Sequence, residues 1–200
     1  MEYLVTMTTH VPEGTSEAAV NEIRRREDAR SRELSAEGHL LRLWRPPLKP
    51  GEWRTLGLFA ASDADQLEKS LASMPLRIWR TDDVTPLLSH PNDPGPVRST
   101  TPEGWKEYLT TLRISIPKGI PAQAVDDVEI AEAARAHEMA RQGHLVRLWK
   151  LDRSNVLGLW RAASTDEMQA VLEALPLFVW ITEETTPLSP HPSDPLSRVD

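Results

Sequence analysis

The sequence predicts an α+β protein in which one βαββαβ unit is written twice, and three observations carry that reading. First, the stretch GHLLRLWR beginning at Gly38 returns as GHLVRLWK beginning at Gly143. Second, shifting the chain by 105 residues lays Val11-Pro12-Glu13-Gly14 on Ile116-Pro117-Lys118-Gly119, Val20 on Val125, Glu27 on Glu132 and Arg30 on Arg135. Third, past the Leu-Trp pair the offset falls to 101 because PPLKPGEWRT is longer than LDRSNV, and the match then resumes from Gly57-Leu58 on Gly158-Leu159 to His90-Pro91 on His191-Pro192. A length change confined to one turn-like segment is what a surface loop tolerates. The halves therefore run over about 1–96 and 106–200, joined through the proline-rich DPGPVRSTTP with a linker at 97–105.

Each half supports the same elements in the same order. Tyr3–Thr8 and Tyr108–Ile114 combine β-branched and large apolar residues and meet a Pro-x-Gly stop a few positions later, which predicts strands. Residues 16–37 and 121–142 are rich in Ala, Glu and Arg and stop at Gly38 and Gly143; the second carries Pro121 near its first turn, where a missing N–H costs nothing. Leu40–Trp44 with Thr55–Ala60, and Leu145–Trp149 with Asn155–Ala162, read as hairpins. A second helix opens on a capping box, Asp63-x-x-Gln66 or Ser164-x-x-Glu167, and is expected to end at Pro75 or Pro176. The last strand is expected over Ile78–Val84 and Phe178–Thr185. This order is the split βαβ, or ferredoxin-like, arrangement. Its open sheet face needs a cover, so two such units are expected to join as an intramolecular α/β barrel.

Composition narrows the function. A formal charge of −7 gives no basic footprint, so nucleic acid is not an expected partner. Zero cysteines exclude disulfides, thiolate metal sites and Cys nucleophiles, which fits a reducing compartment and makes the cytoplasm the default localisation. The opening MEYLVTMTTH has no basic n-region followed by an apolar run, and no stretch approaches the ~18 apolar residues a bilayer span requires, so no membrane partner is expected. No H-x-H, H-x-x-x-H or carboxylate cluster at ligand spacing occurs, and no metal is predicted. Phosphate-loop, G-x-G-x-x-G and G-x-S-x-G motifs are missing, leaving nucleotide and serine-hydrolase chemistry without support.

The candidate site starts from one misplaced charge. At about 100° per residue, Val20, Ile23 and Leu34 share one ~60° sector of the first helix, and Glu27 projects into its middle. Val125, Val128, Met139 and Glu132 repeat the arrangement. A carboxylate there is either paired, with Arg30 or Arg42 as the candidates in the first copy, or raised in pKa and suited to moving protons near neutral pH. Strict alternation along the next strand puts His39, Leu41, Leu43 and Arg45 on one face and Leu40, Arg42 and Trp44 on the other. Both faces carry cations able to hold a carboxylate, with His144 and Lys150 on one side of the second copy and Arg147 and Trp149 on the other. His90 and His191 follow the last strand of each copy and are candidates to cap a cavity of the other copy.

These features together resemble the muconolactone Δ-isomerases. The resembling residues are Met7, Pro12, Glu27, Leu34, Gly38, Leu43-Trp44-Arg45, Phe59, the Met-Pro-Leu at 74–76 and TPLLSHPND in the first copy, and Glu132, GHLVRLWK, LEALPLF and TPLSPHPSD in the second. The resemblance covers nearly all of each half. It implies ferredoxin-like units that build barrels and larger oligomers, hence a possible homo-oligomer, in the breakdown of aromatic compounds. It also implies a cofactor-free 1,3-proton shift: a base takes the γ-proton of a carboxylated unsaturated lactone, a dienolate forms, and the proton returns at the α-carbon while a cation holds the side-chain carboxylate. Glu27 and Glu132 match the family's glutamate and Arg45 its arginine, with Lys150 a weaker match. Where the family pattern has a basic residue and a histidine, this chain has Thr6 and Thr111, and Arg42 and Arg147. A small-acid-binding relative without catalysis, and a related barrel cyclase or monooxygenase of aromatic polyketides, are the alternative readings.

Overall fold

In the computed structural model, residues 1–96 and 100–198 are described; positions 97–99 of the expected linker lie outside them. The chain divides into two compact units, one made of Met1–Leu87 with Ser189–Asp200 and the other of Leu88–Leu188. The first unit contains β1 (Glu2–Thr9), α1 (Glu17–Ala36), β2 (Leu40–Arg45), β3 (Arg54–Ala60), α2 (Ala64–Ala72) and most of β4 (Arg80–Ser89). The second contains β5 (Lys106–Ile114), α3 (Ala122–Arg141), β6 (Leu145–Lys150), β7 (Asn155–Ala162), α4 (Thr165–Glu173) and most of β8 (Ile181–Pro190). Both sheets are antiparallel, in the order β4-β1-β3-β2 and β8-β5-β7-β6. Each repeat is thus a ferredoxin-like α+β unit.

Local chemistry explains the boundaries. Ser16 accepts a hydrogen bond from the Ala19 N–H and starts α1. At the other end, Gly38 has φ +75°, its N–H donates to the Ser35 carbonyl at 3.0 Å, and the His39 N–H donates to the Leu34 carbonyl at 2.8 Å. This is a Schellman ending, and Gly143 with His144 repeats it on α3. Both capping boxes form: Asp63 accepts from the Gln66 N–H and Ser164 from the Glu167 N–H, while the Gln66 and Glu167 side chains accept from the N–H groups of Ser62 and Ala163.

Two expectations are corrected. The last strand of each repeat begins later than expected and runs longer, because Pro75–Trp79 and Pro176–Trp180 coil into 3-10 helices that follow α2 and α4. Ile78 and Val179 consequently point to solvent, 73% and 80% exposed. Strand β4 then passes through Pro86, tolerated because at that position the strand pairs with β1 on one side only. The second correction concerns alternation: a bulge between Leu40 and Arg42, repeated between Leu145 and Arg147, shifts the register of β2 and β6. Leu40 and Leu43 therefore enter the same core, as do Leu145 and Leu148.

Each core lies between the sheet and its helices. In the first unit Val5, Leu34, Phe59 and Leu71 are almost completely buried; in the second Tyr108, Met139, Trp160 and Leu172 are. Replacing such a leucine by alanine costs about 2–5 kcal/mol. Gly57 and Gly158 serve this packing: an added Cβ would stand 2.4 Å from the Phe59 ring or 2.1 Å from the Trp160 indole nitrogen. Only glycine admits the aromatic ring two residues on.

Candidate functional site

Helix α1 and the sheet of the first unit enclose a cavity of about 490 Å³, and Glu27 stands in its wall. The 3-10 helix after α2 positions this carboxylate, since the Leu76 N–H donates to Glu27 Oε2 at 2.8 Å. Arg80 Nη1 donates to Oε1 at 3.1 Å, and Arg80 also grips Asp82 through two hydrogen bonds of 2.6 and 3.0 Å. The Arg80 and Asp82 side chains are each 2% exposed and Glu27 is 13% exposed. Burial pushes the Glu27 carboxyl above the ordinary carboxylate range; the Leu76 N–H and Arg80 pull it back, and Asp82 adds to the rise. Arg24, Arg25 and Arg45 join Arg80 in the lining, four cations against the two carboxylates Glu27 and Asp28. The Arg24 guanidinium sits 4.4 Å from the ring centre of Trp53, another lining residue.

The second unit builds the equivalent cavity, about 350 Å³, around Glu132. The Leu177 N–H donates to Glu132 Oε2 at 3.0 Å, repeating the Leu76 bond. Burial again pushes the carboxyl up, opposed by that N–H alone. Ile181 occupies the position of Arg80, and among the described residues no cation pairs with Glu132. Lys150 takes the place of Arg45 in the lining.

The histidines following the last strands line these cavities: His191 in the first unit and His90 in the second. In each, the ring Nδ1 accepts the N–H two residues on, Ser193 or Asn92, at 3.1 Å, which leaves Nε2 to carry the proton of a neutral ring. Burial lowers the pKa of His90, helped by Lys150 and opposed by Asp93. The His191 N–H donates to the Leu43 carbonyl at 3.0 Å and Ser193 Oγ to Asp28 Oδ1 at 2.7 Å, so the segment is tied to both β2 and α1.

The other sequence candidates have different surroundings. Arg42 stacks 4.7 Å from the centre of the Trp44 ring and bonds Asp194 through Nε at 3.1 Å; the Leu43 N–H donates to the same carboxylate at 2.8 Å. Arg147, Trp149, Asp93 and the Leu148 N–H repeat this at 4.6, 3.1 and 2.9 Å. None of Arg42, Trp44, Arg147 and Trp149 lines the cavity of its glutamate. The expectation that Glu27 pairs with Arg30 or Arg42 is therefore corrected: Arg80 is its partner, Arg30 bonds Glu33 and Ser73, and Arg42 bonds Asp194. His39 and His144 also lie outside the cavities, their Nδ1 atoms bonded to the carbonyls of Ala60 and Arg161, with Trp105 stacked on His144. Thr6 and Thr111 are not in the lining.

Sequence reasoning passed over Arg80, Asp82, Asp93 and Asp194. Asp93 and Asp194 carried a signal, the repeated His-Pro-x-Asp ending; Arg80 carried none, since its repeat partner is Ile181. Among the described residues no group of three or more His, Asp or Glu is placed to hold a metal ion, and no helix is long and apolar enough to cross a membrane.

The geometry has relatives. The family model described as muconolactone delta-isomerase matches residues 1–93 and, again, 106–194. The Muconolactone Delta-isomerase of Cupriavidus pinatubonensis is 31% identical over 88 residues, which is 43% of this chain and 95% of that protein. That of Rhodococcus opacus is 30% identical over 89 residues, 44% of this chain and 95% of its own length. A crystal structure of muconolactone isomerase covers 48% of this chain and 96% of its own at 24% identity and TM-score 0.42. A heme-binding protein from Thermus thermophilus, 11% identical over 96% of this chain and 93% of its own with TM-score 0.59, shows a shared fold alone. On the two family matches, which together span most of its length, the chain belongs to the muconolactone delta-isomerase family, with the family's unit present twice.

Proposed function

We propose that this protein is an isomerase of small unsaturated lactones in the breakdown of aromatic compounds, moving one proton across the lactone with Glu27 as the base. The observation that carries the reading is the Glu27 carboxyl, buried in a cavity wall and held above its ordinary pKa, with a surplus of arginines around it. A carboxylated butenolide such as muconolactone suits that charge balance. Arg45, aided by Arg24 or Arg25 at the mouth, holds the side-chain carboxylate. Glu27 takes the γ-proton; the electron pair of that C–H bond passes through the ring double bond onto the carbonyl oxygen of the lactone as a dienolate. The α-carbon then takes the proton back from the Glu27 carboxylic acid, so no atom is gained or lost and no oxidant is needed. A base whose pKa lies nearer neutrality serves both halves of this cycle, because it must accept a proton and then release it. Arg80 beside Glu27 stabilises the negative charge while it resides on either partner.

The test is turnover of muconolactone in deuterated buffer followed by proton NMR. The parent protein moves the double bond and places the proton at the α-carbon; E27Q lowers kcat by about 10²–10⁴, the range that general-base catalysis contributes. A parent protein that binds the lactone without converting it, or an E27Q variant with full turnover, overturns the reading.

A further inference from the structure

The second cavity keeps the glutamate but replaces its ion-pair partner and three further polar positions by apolar side chains. Aligned by the repeat, Arg80 becomes Ile181, Asp28 becomes Ala133, Ser31 becomes Ala136 and Thr55 becomes Val156, and each of these residues lines its own cavity. Against those losses one position gains a polar atom: Phe59 becomes Trp160, a lining residue 1% exposed. Its indole N–H is buried and, among the described residues, bonded to nothing. Its nitrogen stands against Gly158, the residue whose missing side chain makes room for it, and has essentially no accessible surface, so it adds nothing polar to the cavity wall.

From these substitutions we infer that the cavity around Glu132 binds a different class of ligand from the first: an uncharged lactone or ester. The cations in its lining are Lys150 and Arg153, set against Glu129, Glu132 and Asp152, so the cavity has no surplus of positive charge with which to attract an anion. The smaller volume also favours a lactone or ester without the carboxymethyl arm. Burial pushes the Glu132 carboxyl up, and a neutral ligand brings no second negative charge against it. The inference concerns which ligand binds and does not depend on the isomerase reading of the first cavity.

The experiment uses the whole chain and two probes, γ-methyl butenolide and the same ring carrying a carboxymethyl group in place of the methyl. The indole N–H resonances are followed by ¹H–¹⁵N NMR, and that of Trp160 is identified by its cross-relaxation with the Gly158 α-protons, so no core variant is required. The uncharged lactone should shift this resonance saturably, with an affinity at least tenfold tighter than that of the carboxylated lactone at the same resonance. I181R, which restores the first cavity's cation, should weaken the uncharged probe about tenfold and strengthen the carboxylated one. A133F, which fills the cavity from its partly exposed wall, should abolish the shift. An unmoved Trp160 resonance, an equal response to both probes, or a shift that survives A133F would each overturn the inference, whether or not the first cavity proves catalytic.

Discussion

Glu27 and Glu132 occupy the same place in their repeats, each on the inner face of a helix and each bonded by a backbone N–H from the following 3-10 helix. What differs is the second line of charge. Glu27 faces Arg80, which in turn is held by Asp82; Glu132 faces Ile181. The backbone bond is therefore the part of the site that the fold itself supplies, because it depends on a main-chain N–H that every residue but proline provides. The cation is the adjustable part. With the arginine the buried carboxylate belongs to an ionic network; without it the carboxylate keeps, among the described residues, the backbone bond alone, and the two units show both arrangements in one chain.

The largest expected effect separates the two glutamates directly. With the carboxylated lactone as substrate, E27Q should lower kcat by about 10²–10⁴, whereas E132Q should leave it within about threefold, since losing a general base costs its full contribution only where the reaction runs. Steady-state kinetics on the two variants decide it. Equal losses would mean that both cavities turn over this substrate and that the charge difference is without consequence for selection.

Next in size is the removal of the cation. Replacing Arg80 by Leu leaves Glu27 and Asp82 buried without their shared partner, and breaking a buried pair from one side costs about 3–5 kcal/mol. Asp82 retains Arg77 and softens the loss. I181L in the second unit, an apolar exchange of similar volume, should cost less than about 1.5 kcal/mol. Denaturant titration of both variants checks the contrast.

A third difference appears with pH. Both glutamates have folded pKa values raised above the ordinary 4.5, so between that value and the raised one the folded chain binds more protons than the unfolded one. Stability on this account is fullest below pH 4.5 and falls as pH rises through the folded pKa. E132Q removes one such falling limb and its curve should be flatter from pH 4.5 upward than the parent's. E27Q should flatten it less, because Arg80 opposes the rise at Glu27 and, among the described residues, no cation does so at Glu132. Thermal unfolding across pH 4–8 measures both.

The repeat made most of the fold legible, because a unit written twice reveals which features are tied to structure: the Gly-His helix ending, the capping boxes and the buried glutamates all recur at fixed offsets. Two local features escaped. The bulges in β2 and β6 leave the composition of LLRLWR and LVRLWK unchanged while moving Leu40 and Leu145 to the other face, so a period of two misassigns them. The 3-10 helices after α2 and α4 have apolar sequences, Pro-Leu-Arg-Ile-Trp and Pro-Leu-Phe-Val-Trp, that read as the start of a strand. In the site, the glutamates were visible as charges on an apolar stripe. The partners of Arg42 and Arg147 were not, since Asp194 and Asp93 lie 152 and 54 residues away and pair through folding alone. Arg80 was hidden for the opposite reason: a residue that makes the two copies different is discarded by a search for what makes them alike.

The smallest predicted effect probes how the histidine-bearing segment is fastened. In the first unit Ser193 Oγ donates to Asp28 on α1, and in the second Asn92 stands at the matching place opposite Ala133, which offers no side-chain acceptor. Both segments keep the aspartate anchor to the following strand, Asp194 to Leu43 and Asp93 to Leu148. S193A should therefore cost about 1.5–3 kcal/mol at most, the range for a hydrogen bond to a charged group, with the lower end favoured because Asp28 remains partly exposed and can bond water and Arg32. Its local consequence should exceed its global one: amide exchange at His191 and Ser193 should quicken while that of Leu34 in the core stays unchanged, since opening one fastening of a surface segment does not require the core to unfold. N92A should leave exchange at His90 unaltered. If both variants loosen their segments equally, the serine bond contributes nothing and the aspartate anchors alone hold the histidines over the two cavities.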